Sequence, residues 1–297
     1  MEVLPAPEGA DTMMTFPCIT RDFQGRKDTP FFAIFAALSE KPSMQHLENT
    51  FHKQIDIDSY MVDEKRRLFP TFLFFLMQDV AVRHVDHIGV GWEYLHQFNM
   101  FWALSRIDVE ILRRPEWHET VEISTWGKKH NFLIQPRDHI VESLDGEVLV
   151  RATSNWVLLD TEGKPHQLDE IESLLRNQHD LHAIERPATR LRTSAVTDDE
   201  PVFHPVLYSH IDMNSHVNNS YYVQWAMNEF SPEFHNRHEL SLISLNYLQQ
   251  MRSDDSYGIY RKEVAPNDFL LSIVSKSTKE EVCRVRTVWE PTPPQSH

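Results

Sequence analysis

Between Leu68 and Val85 the residues Phe72, Leu73, Phe74, Phe75, Leu76, Met77, Val80, Ala81 and Val82 would cover every side of a helix. A helix apolar all round is a buried one, so the rest of the chain has to wrap it. The wrapping follows directly. After Gly89 and Gly91, Ile107, Val109 and Ile111 alternate with Asp108 and Glu110, and Val121 and Ile123 alternate with Glu122 and Ser124, the period of two expected of half-buried strands. Asn131 to Ser143 and Val148 to Asp160, joined by Leu144-Asp145-Gly146, read as a hairpin.

The same order then recurs. A strand at 202–211 leads into a helix at 219–230, stopped by Pro232, and strand patterns follow at 240–250, 257–264, 269–276 and 282–290. Such a repeat suggests duplication. Without gaps, Tyr60 to Val80 lies over Tyr208 to Asn228 at an offset of 148. The predicted fold is α+β, two units that are each an antiparallel sheet curved around one long helix, and 297 residues suit two domains. The expected boundaries are an extension of unknown role at 1–50, a first domain at 51–186, a Thr-rich linker at 187–199, a second domain at 200–290 and a Pro-rich tail at 291–297.

Composition narrows the function. A net charge of −15 repels polyanions, which argues against nucleic acid as a partner. Runs such as Phe72 to Met77 fall far short of the roughly 20 apolar residues that span a bilayer. Two cysteines, Cys18 and Cys283, are too few for a disulfide framework, and the acidic first 50 residues lack the pattern of a secretory or organellar leader. A cytoplasmic protein is expected. His84, Asp86 and His87, or His235 and His238, have spacings a metal could use, but no complete ligand set is evident, so no metal or cofactor is expected.

Chemistry concentrates at Ile211-Asp212-Met213-Asn214-Ser215-His216-Val217-Asn218-Asn219, where a strand should hand over to the second helix. If the stretch is extended, Asp212, Asn214 and His216 share one side, and Asn218 or Asn219 can cap the helix. A helix start offers unpaired N–H groups and partial positive charge, suited to a carbonyl oxygen gaining negative charge. Imidazole, carboxylate, amide and helix end together could hydrolyse an ester or thioester.

The motif Asp212-Met213-Asn214-Ser215-His216-Val217-Asn218-Asn219, followed by Tyr222 and Trp225, is similar to the Asp-x-Asn-x-His-Val-Asn-Asn-x-x-Tyr-x-x-Trp signature of the acyl-acyl carrier protein (acyl-ACP) thioesterases. Arg106, Arg114-Pro115-x-Trp117, Val121, Thr125-Trp126, Arg151-Ala152-Thr153-Ser154-x-Trp156-Val157, His238-Glu239-Leu240 and Leu245-Asn246-Tyr247 resemble further stretches, so the resemblance covers roughly 55–290. It implies two tandem hotdog domains and hydrolysis of fatty acyl carrier protein to free fatty acid. Asp212, Asn214 and His216 are then catalytic, with a fourth group at Gln250, and Asn218 and Asn219 lie against the substrate.

The chain departs from the family at Gln250-Met251, where the pattern commonly reads Glu-Cys. With no thiol at Met251, water is the expected nucleophile. In the ungapped register Glu64, Arg66 and Leu68 stand where Asp212, Asn214 and His216 stand, so the first half is expected to be catalytically degenerate and to hold the acyl chain against Phe72, Phe75, Leu76, Trp102 and Trp126. Lys128 and Lys129 are the expected docking point for the acidic carrier, and the protein is expected to be a monomeric pseudo-dimer or a homodimer of one. The competing readings are an acyl-CoA thioesterase, a hotdog hydratase, or a non-catalytic acyl-binding protein.

Overall fold

The computed structural model describes residues 50–292 apart from 172–174 and 176–179. The expected extension therefore lies outside the described residues except for Thr50, and so does the tail beyond Thr292. Strand β1 (Phe51–Asp56) leads through a short 3-10 turn into helix α1 (Pro70–His87). A short helix α2 (Trp92–His96) follows, then β2 (Met100–Ile111), β3 (Thr120–Gly127), β4 (Gln135–Ser143) and β5 (Val148–Asp160). The second half repeats the order with β6 (Phe203–Pro205), α3 (Asn219–Asn228), α4 (Pro232–Arg237), β7 (His238–Tyr247), β8 (Ser256–Ala265), β9 (Asp268–Ser275) and β10 (Glu281–Pro291).

All ten strands form one antiparallel sheet in the order β1-β3-β4-β5-β2-β7-β10-β9-β8-β6. Replacing each strand of one half by its counterpart in the other returns the same order read backwards. The halves meet where β2 pairs with β7, from Arg106 opposite Asn246 to Glu110 opposite Leu242, with Asp108 opposite Ser244.

One core runs through both halves. Alternation puts Val109, Val121, Ile123 and Val141 of one half and Ile243, Leu245, Leu271 and Val285 of the other on the concave side. Leu73, Met77 and Val80 of α1 and Val223 and Ala226 of α3 fill it. The helix α1 is not buried on every side. Phe72, Phe75 and Leu76 stay half-exposed because that face meets the neighbouring helix, Phe75 edge-on to Tyr221 at 5.4 Å, rather than more sheet. Gly91 lets the chain turn back over α1: a Cβ there would stand 1.7 Å from Asp86 Oδ1.

The expected linker at 187–199, together with the residues just before it from Ala183, is a strap across the opposite face of the sheet, where buried polar side chains on β4, β2, β7 and β9 each hold one of its backbone N–H groups. Asp138 takes Ala183 N at 2.8 Å, Asp108 takes Thr189 N at 3.0 Å, Asn246 takes Leu191 N at 2.8 Å, and Ser272 takes Ala195 N at 2.8 Å. Its polar composition reflects this accounting: a covered segment must find partners for its backbone. Its own Ala188, Leu191 and Ala195 are buried against the sheet.

Candidate active site

The segment 212–216 is a tight turn, not the extended strand expected from its spacing. Ile211 bridges Val217, Asp212 N donates to His216 O at 2.9 Å, and Ser215 N donates to Asp212 O at 3.0 Å. Asp212 makes the turn itself, its Oδ1 accepting Asn214 N–H at 2.8 Å, and Ser215 adopts φ +63°, the left-handed conformation such a turn needs. The period of two therefore does not apply. Asp212 and His216 are half-buried, while Asn214 at the tip is exposed. Val217 N is tied to Met251 O at 2.9 Å and Asn218 N to His210 O at 2.9 Å, which fixes where α3 begins. Asn218 caps it, its Oδ1 accepting Ser220 N–H at 2.9 Å. Tyr247 Oη donates to Asn219 O at 3.0 Å.

Burial and the positive charge of Arg252 pull the His216 imidazole below its ordinary pKa, against Asp212 and the Asn214 backbone, which favour its protonated form. The ring is thus held ready as a neutral base. Arg252 was not singled out from the sequence; what could have pointed to it is its place next to Met251, which anchors Val217. Strand β7 ends at Tyr247, so Gln250 lies in the following loop with its side chain exposed, not on the helix-facing side of a strand. Cys283 is fully buried with its thiol pushed well up by burial, as unsuited to attack as its strand position implies.

The first half repeats this turn bond for bond. Val62 bridges Leu68, Asp63 N donates to Arg67 O at 2.9 Å, Arg66 N to Asp63 O at 2.9 Å and Leu68 N to Pro115 O at 2.8 Å, while Asp63 Oδ1 takes Lys65 N–H at 2.8 Å and Arg66 has φ +61°. Matching hydrogen bonds put Asp63, Lys65 and Arg67 where Asp212, Asn214 and His216 stand. The ungapped register that chose Glu64, Arg66 and Leu68 is one residue out. The same matching pairs Pro115 with Met251 and so Arg114 with Gln250.

Those cations are occupied. Arg114 reaches Asp63 at 2.7 Å and Glu239 at 3.0 Å, and Glu239 also holds Arg67 at 2.6 Å and Lys65 at 3.1 Å. Burial works against the Glu239 charge, but Arg114 and the two neighbouring cations outweigh it and keep the carboxyl below its ordinary range.

A small cavity lies between the halves, lined by Phe74 and Met77 of α1, Leu104 and Ile107 of β2, and Asn219 and Ser220 at the start of α3. Ser220 Oγ is buried there without a partner among the described residues. Phe72, Phe75 and Leu76 do not line it: Phe75 meets Tyr221 of α3, and Phe72 meets Tyr60 and Phe75. Trp102 packs beyond the end of α1 against Val90 and Leu95, its Nε1 on Val90 O at 3.0 Å. Trp126 is buried on the strap side with Nε1 on Leu181 O at 3.0 Å, because alternation in β3 gives the helix-facing side to Val121, Ile123 and Thr125. Lys128 is no docking residue: it is 7% exposed and paired with the wholly buried Asp138 at 2.9 Å, whereas Lys129 is exposed. His235 Nε2 and His238 Nδ1 bond the Met227 and Phe234 carbonyls, and among the described residues no three His, Cys, Asp or Glu side chains converge.

The acyl-ACP thioesterase N-terminal domain family matches residues 48–173, and its C-terminal domain family matches residues 194–291. The chain is 28% identical over 222 residues to oleoyl-acyl carrier protein thioesterase 2, chloroplastic, of Arabidopsis thaliana, covering 68% of this chain and 59% of the relative. Palmitoyl-acyl carrier protein thioesterase, chloroplastic, of Cuphea hookeriana is 25% identical over 222 residues, covering 67% of this chain and 51% of the relative. The chain thus spans little more than half the length of these curated relatives. The crystal structure of an acyl-ACP thioesterase from Bacteroides thetaiotaomicron superposes with a TM-score of 0.73 at 24% identity, over 81% of this chain and 98% of the other. A 12:0-ACP thioesterase from Umbellularia californica gives 0.73 at 24% identity, over 82% and 98%. These neighbours share the fold, and with both domain families matched in order, the chain belongs to the acyl-ACP thioesterase family.

Proposed function

We propose that the chain is two tandem hotdog domains, bounded near 51–186 and 200–290, and hydrolyses fatty acyl carrier protein to free fatty acid with water as nucleophile. The observation that carries the reading is the placement of His216: it closes the turn that enters α3, and the first residues of that helix line a cavity continuous with the apolar interior of the first half. A thioester at the helix start would then have its carbonyl beside the Asn219 N–H, since Asn218 takes those of Ser220 and Tyr221, and its chain directed towards Phe74 and Met77.

In this reading His216 takes a proton from water, and the hydroxide adds to the thioester carbon. The oxygen that becomes negative is held by the Asn219 N–H at the helix start and by Ser220 Oγ–H. Collapse breaks the carbon–sulfur bond, and the carrier's thiolate recovers the proton from His216. Asp212 shapes the turn and supports the imidazolium by its charge. Asn214 and Gln250, both exposed, meet the arriving thioester or its water from the solvent side. The cavity is water-sized, about 20 Å³, so the chain enters by displacing flexible side chains such as Met77. Lys129 is the residue of the basic pair left to meet an acidic carrier.

The plant relatives are chloroplastic by name, against the cytoplasm expected above, and a fluorescent fusion decides between the two. The central experiment is free fatty acid release from matched acyl-carrier and acyl-CoA panels. Release from the carrier thioesters supports the proposal. Turnover of CoA thioesters alone would replace the donor, and stoichiometric binding without release would replace the chemistry.

A further inference from the structure

The cavity between the halves is not purely apolar. His139 of β4 lines it and is 2% exposed. Alternation puts His139 on the helix-facing side of the sheet together with Arg137, itself buried and bonded to His84 Nδ1 at 2.9 Å and Thr125 Oγ1 at 3.0 Å. Burial foremost, then the neighbouring Arg137 charge, pushes the His139 pKa down to about 3, so the ring is neutral and carries one proton.

The Met77 backbone lies beside the ring and favours its protonated form, as a carbonyl facing a ring N–H does. Neither ring nitrogen closes a well-formed hydrogen bond among the described residues. With its proton drawn towards Met77, the ring presents its other nitrogen as a bare acceptor. The hydroxyl of Ser154, which also lines the cavity, cannot satisfy it, because it donates to Arg137 O at 3.0 Å and accepts Trp156 Nε1–H at 3.0 Å. A buried acceptor without a donor is costly, so the donor should come with whatever fills the cavity. A plain hydrocarbon chain has none to give. A ketone brings only another acceptor, whereas a hydroxyl brings the proton required.

We propose that this cavity takes an acyl chain bearing a hydroxyl group, which donates to the free nitrogen of His139. The proposal rests on the thioesterase reading and names its substrate class. Its test is kcat/KM on carrier thioesters matched in length, with plain, keto-substituted and hydroxyl-substituted chains, the substituent being moved stepwise along the chain. For the wild-type protein a hydroxyl at one position should raise kcat/KM over the plain chain about fivefold to tenfold, the range of one net hydrogen bond, and a ketone there should not. His139→Phe should abolish that preference, read as the ratio of kcat/KM for hydroxyl-substituted and plain chains, and His139→Gln should keep part of it.

Wild-type preference for plain chains at every position overturns the proposal, since it means a resident water satisfies the ring. So does a hydroxyl preference that survives His139→Phe. Should the Phe variant fail to fold, the wild-type panel and His139→Gln decide by the same criteria. If no thioester of any kind is cleaved, the thioesterase reading falls separately. Calorimetry with free hydroxy and plain fatty acids then decides this one: tighter binding of the hydroxy acid supports it, and equal binding overturns it.

Discussion

The turns at Asp63–Arg67 and Asp212–His216 have the same backbone hydrogen bonds, the same left-handed fourth residue and the same anchor on the strand-end loop opposite. Their side chains do opposite things. In the first half Lys65, Arg67 and Arg114 are drawn together by Asp63 and Glu239, so the turn is a closed ion-pair cluster joining β7 to the helix entry. In the second half the equivalent positions are Asn214, His216 and Gln250, which carry no fixed charge and leave the start of α3 open. The comparison teaches that the backbone of this turn is a structural necessity of the fold, because it delivers the chain into its helix, and that chemistry is an optional use of it.

The sharpest way to break the comparison is to remove the imidazole. His216→Ala should lower turnover by about 100-fold or more, whereas Arg67→Ala at the matching position should leave it within about twofold. Steady-state rates on one carrier thioester decide, and equal losses at both sites would mean that the first turn is not silent. Next, Gln250→Arg copies the first half into the second. An arginine there should pair with Asp212 as Arg114 pairs with Asp63 and should cost about tenfold in turnover by withdrawing that carboxylate from His216. Gln250→Leu should cost less than this, since it removes the contact with the arriving thioester or its water without adding a charge that competes for Asp212.

Glu239→Gln tests the first half as structure. Three cations lose their common anion, so unfolding should come at a denaturant midpoint lower by the equivalent of about 1–2 kcal/mol, less than for a fully buried pair because the cluster is partly solvated. Activity per folded molecule should hold. The smallest effect is electrostatic. The lowered pKa of His216 means that a neutral base persists below pH 6.5, and turnover falls only as pH drops through that lowered value. Arg252→Ala removes a charge that disfavours imidazolium, so this acidic limb should move up in pH, and only slightly because Arg252 is exposed and solvent screens it.

Most strands and both long helices were legible because burial on one face writes itself into alternation and into a largely apolar helix, but β1 (Phe51–Asp56) was not, and of the strand expected at 202–211 only Phe203–Pro205 forms, the rest being turn. The active-site turn was not legible either. Asp212-Met213-Asn214-Ser215-His216 alternates as a strand would, and only the Asp212 side chain taking Asn214 N–H turns the chain, a local bond that periodicity does not register. The repeat offset slipped by one for a related reason: α1 is apolar at so many positions that neighbouring registers match its pattern almost equally. Lys128 looked like surface because its partner, Asp138, stands on an adjacent strand, and Trp126 looked like pocket because an aromatic side chain does not say which side of a sheet it covers. The strap was legible only as a polar stretch, since its partners are single buried groups on strands far apart in sequence.

The pairing of Asp108 with Ser244 sits where the two halves exchange places, so it is the centre of the approximate symmetry. Were two identical chains joined along this seam, the central residue would face a copy of itself, and a buried aspartate would oppose a second one at the distance of neighbouring strands, where two like charges cannot both be tolerated. Carrying both halves on one polypeptide removes that constraint. One copy of the central position can be Ser while the other remains Asp, free to bind Thr189 of the strap and the Arg186 guanidinium. Broken symmetry at this single pair makes the seam directional: it gives the sheet a fixed left and right, and the strap can bind in only one orientation.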